Sequence, residues 1–256
     1  LEEIGRGMKQ IGQFAWTYGI IQQLPTALSN SVSELKNIND ILTEISKTSD
    51  LTTSQIKQLG ETSFDSASRY GKKASDYLIG VQEMSRSGFY GKQAEDLAKL
   101  SILGQAAGDM SAETSNSYLL ATNAAYQYLG SVEKLNAVLD GQNMITNRNS
   151  VSMNDMAQAT SEAASMAAQT GVQIDELSAM IGTMEARTKS GGSEVGNAVK
   201  AILINLQNTS SDKIVNTLDK AGASMTKYVD GVEQLRNPIE ILKDLAKTYN
   251  SLEEND

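Results

Sequence analysis

Residues 167–184 read AAQTGVQIDELSAMIGTM. This is two helical pieces broken at Gly171, the place where a left-handed residue would stop the first helix, and Asp175 is positioned to cap the second. Asp175 and Glu176 lie at a helix start, where the helix dipole already accounts for acids. The stretch therefore reads as packing surface, and its unit is a helical hairpin.

The same plan recurs one hundred residues earlier. Laid over 151–184, residues 51–84 place Gly71 on Gly171, Ala67 on Ala167, Asp76 on Glu176, Val81 on Ile181 and Met84 on Met184. Identities are few, so duplication and convergence on a common hairpin pattern both fit.

Composition agrees with a helical reading. The chain has 256 residues, 40% of them hydrophobic, with two prolines and 5% aromatics. That is enough apolar material for a sizeable core, and the plentiful Ala, Leu, Met, Gln, Lys and Glu favour helix over sheet. The fold expected is all-α, a bundle of helical hairpins with a small β-hairpin near the C-terminus.

Histidine and cysteine are absent, which removes the usual zinc ligands, thiol nucleophiles, disulfides and the commonest general base. The net charge is −9 and the basic residues are scattered, so direct nucleic-acid binding is not expected. No run reaches the roughly 18 apolar residues of a membrane span; the densest patch is FAWTYGII, Phe14 to Ile21. The chain opens at Leu1 and ends on SLEEND, and reads as a piece of a longer protein.

Three parts are expected. In 1–50, Ile4, Met8, Ile11, Ala15 and Tyr18 step by four and three, Pro25 ends or kinks that helix, and Leu28, Val32, Leu35, Ile38, Leu42 and Ile45 mark a second. These amphipathic helices are the candidate self-association segment, through Ile4, Met8, Ile11, Tyr18, Val32, Leu35 and Leu42. A helical core module, 51–208, follows, with helices expected at 53–70, 75–87, 92–107, 112–129, 132–146, 153–170, 175–188 and 194–208. Ser152 with Asp155 resembles a capping box. In 209–256, Ser211 and Asp212 start a short helix, Asp230-Gly231 marks a hairpin turn, and Asn237, Pro238 and Glu240 take the N-cap, N1 and N3 places of a last helix.

Motifs that might carry chemistry lose to plainer readings. Ser-x-x-Lys occurs at Ser33, Ser54, Ser131, Ser210 and Ser224 without its accompanying elements, so caps and exposed helix positions are expected. SGGSEVG, Ser190 to Gly196, lacks the nucleophile-elbow spacing, and Gly191 and Gly192 are read as a turn before a helix starting near Glu194. GFYGKQ, Gly88 to Gln93, fails as a phosphate loop on spacing and on the missing Ser/Thr. Gly104 with Gly108, and Gly192 with Gly196, have spacings that permit close helix packing, and Met153, Met156, Met166, Met180 and Met184 read as core. No catalytic, metal or cofactor residue is expected.

The ordered series SVSMNDMAQATSEAASMAAQTGVQIDELSAMIGTMEARTKSGGSEVGNAVKAILINL resembles the core region of tail tape measure proteins of long-tailed bacteriophages and prophages. LTTSQIKQLGETSFDSASRYGKKASDYLIGVQEMSRSG resembles the hairpin that precedes it, and Leu218 to Leu245 match the family's downstream helix, hairpin, helix. The stretch EARTKS, Glu185 to Ser190, departs from the pattern by being more polar. The resemblance implies a virion protein of the tail lumen, assembled in the host cytoplasm, that templates the tail tube, sets its length and leaves before DNA passes. It also implies as partners other copies of the chain, as a trimer or hexamer, with tail-tube proteins, tail-tip proteins and tail assembly chaperones. A membrane-active role in DNA delivery, with Phe14 to Ile21 as first contact, is the alternative. The frequent glycines and caps point to a folded module, because a ruler should be an unbroken helix.

Overall fold

Thr52 and Ser152 both sit in extended backbone, and each side-chain oxygen accepts the amide three residues on, from Gln55 and Asp155 respectively. Each thereby satisfies an orphan amide and opens a helix. The computed structural model, which describes residues 24–49 and 51–253, contains eleven helices, several of which open in this way.

They are α1 (Leu24–Thr48), α2 (Thr53–Ser68), α3 (Ala74–Arg86), α4 (Lys92–Ala107), α5 (Ala112–Tyr126) and α6 (Val132–Asn149). After them come α7 (Met153–Gln169), α8 (Ile174–Thr188), α9 (Gly192–Asn205) and α10 (Asp212–Lys220). A two-stranded antiparallel sheet, β1 (Thr226–Val229) and β2 (Val232–Leu235), then leads to α11 (Pro238–Glu253). The fold is the all-α bundle with a small C-terminal hairpin that the sequence predicts.

Helices α7 to α10 repeat α2 to α5 in register. The first set starts at Thr53, Ala74, Lys92 and Ala112, the second at Met153, Ile174, Gly192 and Asp212. The N-caps correspond as well: Thr52 and Ser152, Lys73 and Gln173, Gly91 and Gly191, Ser111 and Ser211. Both hairpin turns close identically across a left-handed glycine. Lys72 N donates to Ala67 O at 3.1 Å across Gly71 (φ +66°), and Val172 N donates to Ala167 O at 2.9 Å across Gly171 (φ +78°), the Schellman pattern that satisfies two end carbonyls.

One core holds most of the molecule. It runs from Ile38, Ile41 and Ile45 of α1 through Tyr77, Leu78, Leu97, Ile102 and Leu119 to Met156, Leu177, Ile181 and Val199. At about 1.5–3 kcal/mol for each large apolar side chain buried, this cluster dominates stability. A second, separate cluster, Leu206, Leu218, Ala223, Met225 and Ile241, holds the C-terminal unit.

Local structure departs from expectation at three places. The cap of α8 is Gln173, whose amide donates to the Glu176 carboxylate at 3.1 Å; Asp175 lies in the first turn instead. Helix α5 stops at Tyr126 because Gln127 turns left-handed (φ +52°). Gly191 and Gly192 are not a loose turn: Gly191 is the N-cap of α9 and Gly192 its first residue, held by donation to Asp155 Oδ1 at 3.2 Å.

Candidate functional site

The closest joint in the bundle is between α7 and α9. A Cβ on Gly192 would intrude on the backbone of Asp155, 2.6 Å from its Cα, and one on Gly196 would lie 2.7 Å from Ala159 O and 2.8 Å from Ala159 Cα. Backbone cannot step aside as a side chain can, so these glycines are required by space. Asp155 ties the two helix starts together, accepting from Ser152 Oγ at 2.5 Å and from Gly192 N at 3.2 Å. Both helix N-termini favour its negative charge.

Glu185 of α8 lies beside this joint, 4% exposed, with neither carboxylate oxygen hydrogen-bonded. Burial, and secondarily the negative charge of Asp155, push its carboxyl up to about 7, so at acidic pH it is a neutral acid. A second buried polar set joins three helices: Gln142 of α6 donates to Thr160 Oγ1 of α7 at 3.1 Å and to Ser178 Oγ of α8 at 2.8 Å. A third joins α4 to α5, where Ser101 donates to Asn116 Oδ1 at 2.6 Å and Ser115 donates to Ser101 O at 2.9 Å. These groups bond to one another inside the core and fix helix registry. Tyr77 and Tyr118 are buried phenols, held well above the ordinary range by desolvation and so neutral.

The Gly171 turn is a meeting point. Tyr126 Oη donates to Val172 O at 3.2 Å, and Asn237 Nδ2 donates to Gly171 O at 2.8 Å. Asn237 also caps α11 by accepting from Ile239 N at 2.8 Å, with Pro238 as the first helical residue. The turn that decides the fold in the sequence thus also receives the C-terminal unit.

Asp230 (φ +52°) and Gly231 (φ +80°) form the hairpin turn, with Val229 paired to Val232. Both strands are open to solvent along almost their whole length, including Tyr228 and Val232. Of the self-association candidates, Ile4, Met8, Ile11 and Tyr18 lie outside the described residues, as does the Phe14 to Ile21 patch. Val32 is exposed, Leu35 half-buried, and Leu42 packs inward against Gly60 of α2. Ser131 of the Ser-x-x-Lys set is the cap of α6, accepting from Lys134 N at 3.3 Å.

Two surface features were invisible in the sequence. One is Leu129, left-handed (φ +55°) and 83% exposed in the α5–α6 loop; nothing in a Tyr-Leu-Gly tripeptide announces that geometry. The other is a half-open cleft of about 140 Å³ whose lining includes Leu59, Val81, Ala94, Tyr90 and Glu95. Among the described residues there is no cluster of three or more acidic metal-ligand side chains, and no helix long and apolar enough to cross a membrane.

What the geometry defines is a helical packing module, with buried polar bonds joining its helices and its apolar groups packed between them. The family model for phage-related minor tail proteins matches residues 53–256, and the chain belongs to that family. It is thus a phage tail component, with a structural role in the virion. No solved structure matches it.

Proposed function

We propose that this chain is a folded module of a tail tape measure protein. The whole protein templates the tail tube, sets its length from the tail lumen and leaves before DNA passes, and it does so without catalysis. Tail-tube and tail-tip proteins, other copies of itself and tail assembly chaperones are its partners. Family membership supports the tail role. The observation that carries the module reading is the path of the chain: it reverses at Gly71, Gly171 and the other left-handed turns, and it keeps one core across α1 to α9. A chain that folds back cannot measure at 1.5 Å per residue.

The test is an in-frame deletion of residues 53–253 in the encoding phage, with tail length measured by electron microscopy. The module reading expects assembly to fail or tails to keep their length. Tails shortened by about 1.5 Å for each deleted residue would sink it. Flotation of residues 1–256 with anionic lipid vesicles is the companion measurement. The structural reading expects no bound protein, and the membrane reading expects a floated fraction.

A further inference from the structure

We propose that the second repeat is a proton-gated joint: α9 is shut on α7 while Glu185 carries its proton, and swings off α7 toward the arrangement of the first repeat when Glu185 ionises. The device goes beyond the tape measure reading and does not depend on it.

The two repeats display the two ends of that motion. In the first, a cleft of about 140 Å³ separates α2 from α4, lined by Gln55 and Leu59 of α2, Ser85 of α3 and Gly91 at the start of α4. One hundred residues on, the same four places hold Asp155, Ala159, Glu185 and Gly191. There the cleft is gone, because Gly192 and Gly196 bring α9 onto the backbone of Asp155 and Ala159. Ser85 is half-buried at its open cleft, whereas Glu185 is shut in. One unit of sequence thus has two packings, and the carboxyl lies where they differ.

The shut packing is a poor host for a charge. Neither Glu185 oxygen has a hydrogen-bond partner, and a buried carboxylate without a donor is costly. Helices α6, α7 and α9 pack against α8. Of their charged groups, Arg148, Glu162 and Glu194 are exposed, and Lys200 is half-buried two turns beyond Gly192. Arg187 and Lys189, at the end of α8 itself, are exposed as well. Asp155 alone acts on Glu185, and its charge repels; with burial it holds the carboxyl at about 7. An open cleft admits water to the carboxylate and relieves both costs.

A hinge lies next to the acid. Glu185 sits in the last turn of α8, where its carbonyl accepts from Lys189 N at 2.9 Å. Lys189 is left-handed (φ +58°), and a Cβ on Gly191 would meet nothing within 4 Å. The chain can therefore pivot between α8 and α9 without disturbing α8. Met180 stands where Gly80 lets α4 approach α3, so α9 finds no second close seat and returns to α7 on reprotonation. Opening releases a proton between about pH 4.5 and pH 7, so the open population rises as pH climbs through that window and levels off above it.

The test is amide hydrogen exchange on residues 1–256, followed by NMR at about pH 5.5 and about pH 8 in a series of low urea concentrations, with rates corrected for intrinsic chemistry. Amides of α9 are expected to open on the order of twentyfold more at the higher pH, through an event nearly independent of urea. Amides of α2, α3 and α4 should exchange only through urea-dependent global unfolding, which separates the joint from a general loss of stability. Glu185→Gln is expected to abolish the pH dependence of the α9 event. Ser85→Glu puts the same acid at the open cleft and is expected to leave α4 without such an event; should the glutamine variant fail to fold, this variant and the wild type still decide. The joint would be overturned by α9 amides that follow global unfolding at both pH values. It would equally be overturned by a pH dependence that survives Glu185→Gln, or by one that Ser85→Glu confers on α4.

Discussion

The two repeats solve one packing problem in different ways. In the second, α9 leans on α7, with Gly192 and Gly196 letting the backbones meet. In the first, Lys92 and Asp96 occupy those places, and α4 leans on α3 instead, where the position of a Cβ on Gly80 is 3.2 Å from Ala98 Cβ. Met180 stands where Gly80 would recur in the second repeat. The location of a glycine thus decides which neighbour a helix approaches, because two helices come closest where a side chain is missing. The by-product in the first repeat is the cleft between α2, α3 and α4.

The sharpest way to break this comparison is Gly192→Ala. Its new Cβ meets the Asp155 backbone, so a loss of about 3 kcal/mol is expected in chemical denaturation, at the upper end for overpacking. A loss below about 1 kcal/mol would show that α9 can slide and that the glycine is not the determinant.

The next effect is electrostatic and confined to the second repeat, since Ser85 stands where Glu185 stands. The folded-state carboxyl of Glu185 is raised to about 7 from an ordinary value of 4.5. Between those values the folded state holds a proton that the unfolded chain has released. Stability from this group is therefore full below about pH 4.5, falls as pH rises, and is lost above about pH 7, a swing of roughly 3 kcal/mol. Glu185→Gln should flatten that slope and stabilise the protein at pH 8 by a similar amount, read from urea midpoints across pH. An unchanged slope would mean that another group carries it.

Gly71→Ala and Gly171→Ala sharpen the parallel between repeats. A Cβ would meet nothing within 4 Å at Gly71, and only Asn237 Nδ2 at 3.7 Å at Gly171. The cost is then conformational alone, about 1 kcal/mol at each. A much larger loss at Gly171 would mean that its link to the C-terminal unit is strained by the change. The smallest effect expected is Gly80→Ala. There Ala98 must give by a few tenths of an ångström, and the gain in helix propensity of about 1 kcal/mol offsets it. Tm should move little, against the collapse expected for Gly192→Ala.

Much of the helix plan was legible because it rests on local chemistry. Ser131, Ser152, Asn237 and the left-handed glycines act on their own helix ends, and neighbours in sequence are enough to recognise them. What escaped depends on partners distant in sequence. Gly192 looked like a flexible turn because its reason is the backbone of Asp155, and Asp175 looked like a cap because the Gln173–Glu176 pairing competes for the same helix start. Glu185 sat in a stretch noticed only for its polarity, and burial of a single acid leaves no periodic trace. In α1 the apolar positions Ile38 and Ile45 belong to the main core; periodicity reveals a buried face without revealing what buries it.

Asn237 has a mechanical consequence. Its one side chain both starts α11 and grips the Gly171 carbonyl, while the unit behind it is held by a cluster of only five buried apolar residues. A pull applied at the C-terminal end loads that amide before it loads the large core. The tail unit then peels away first and the remaining helices yield later, so extension proceeds in steps, each at modest force, as in a zip fastener opened from one end.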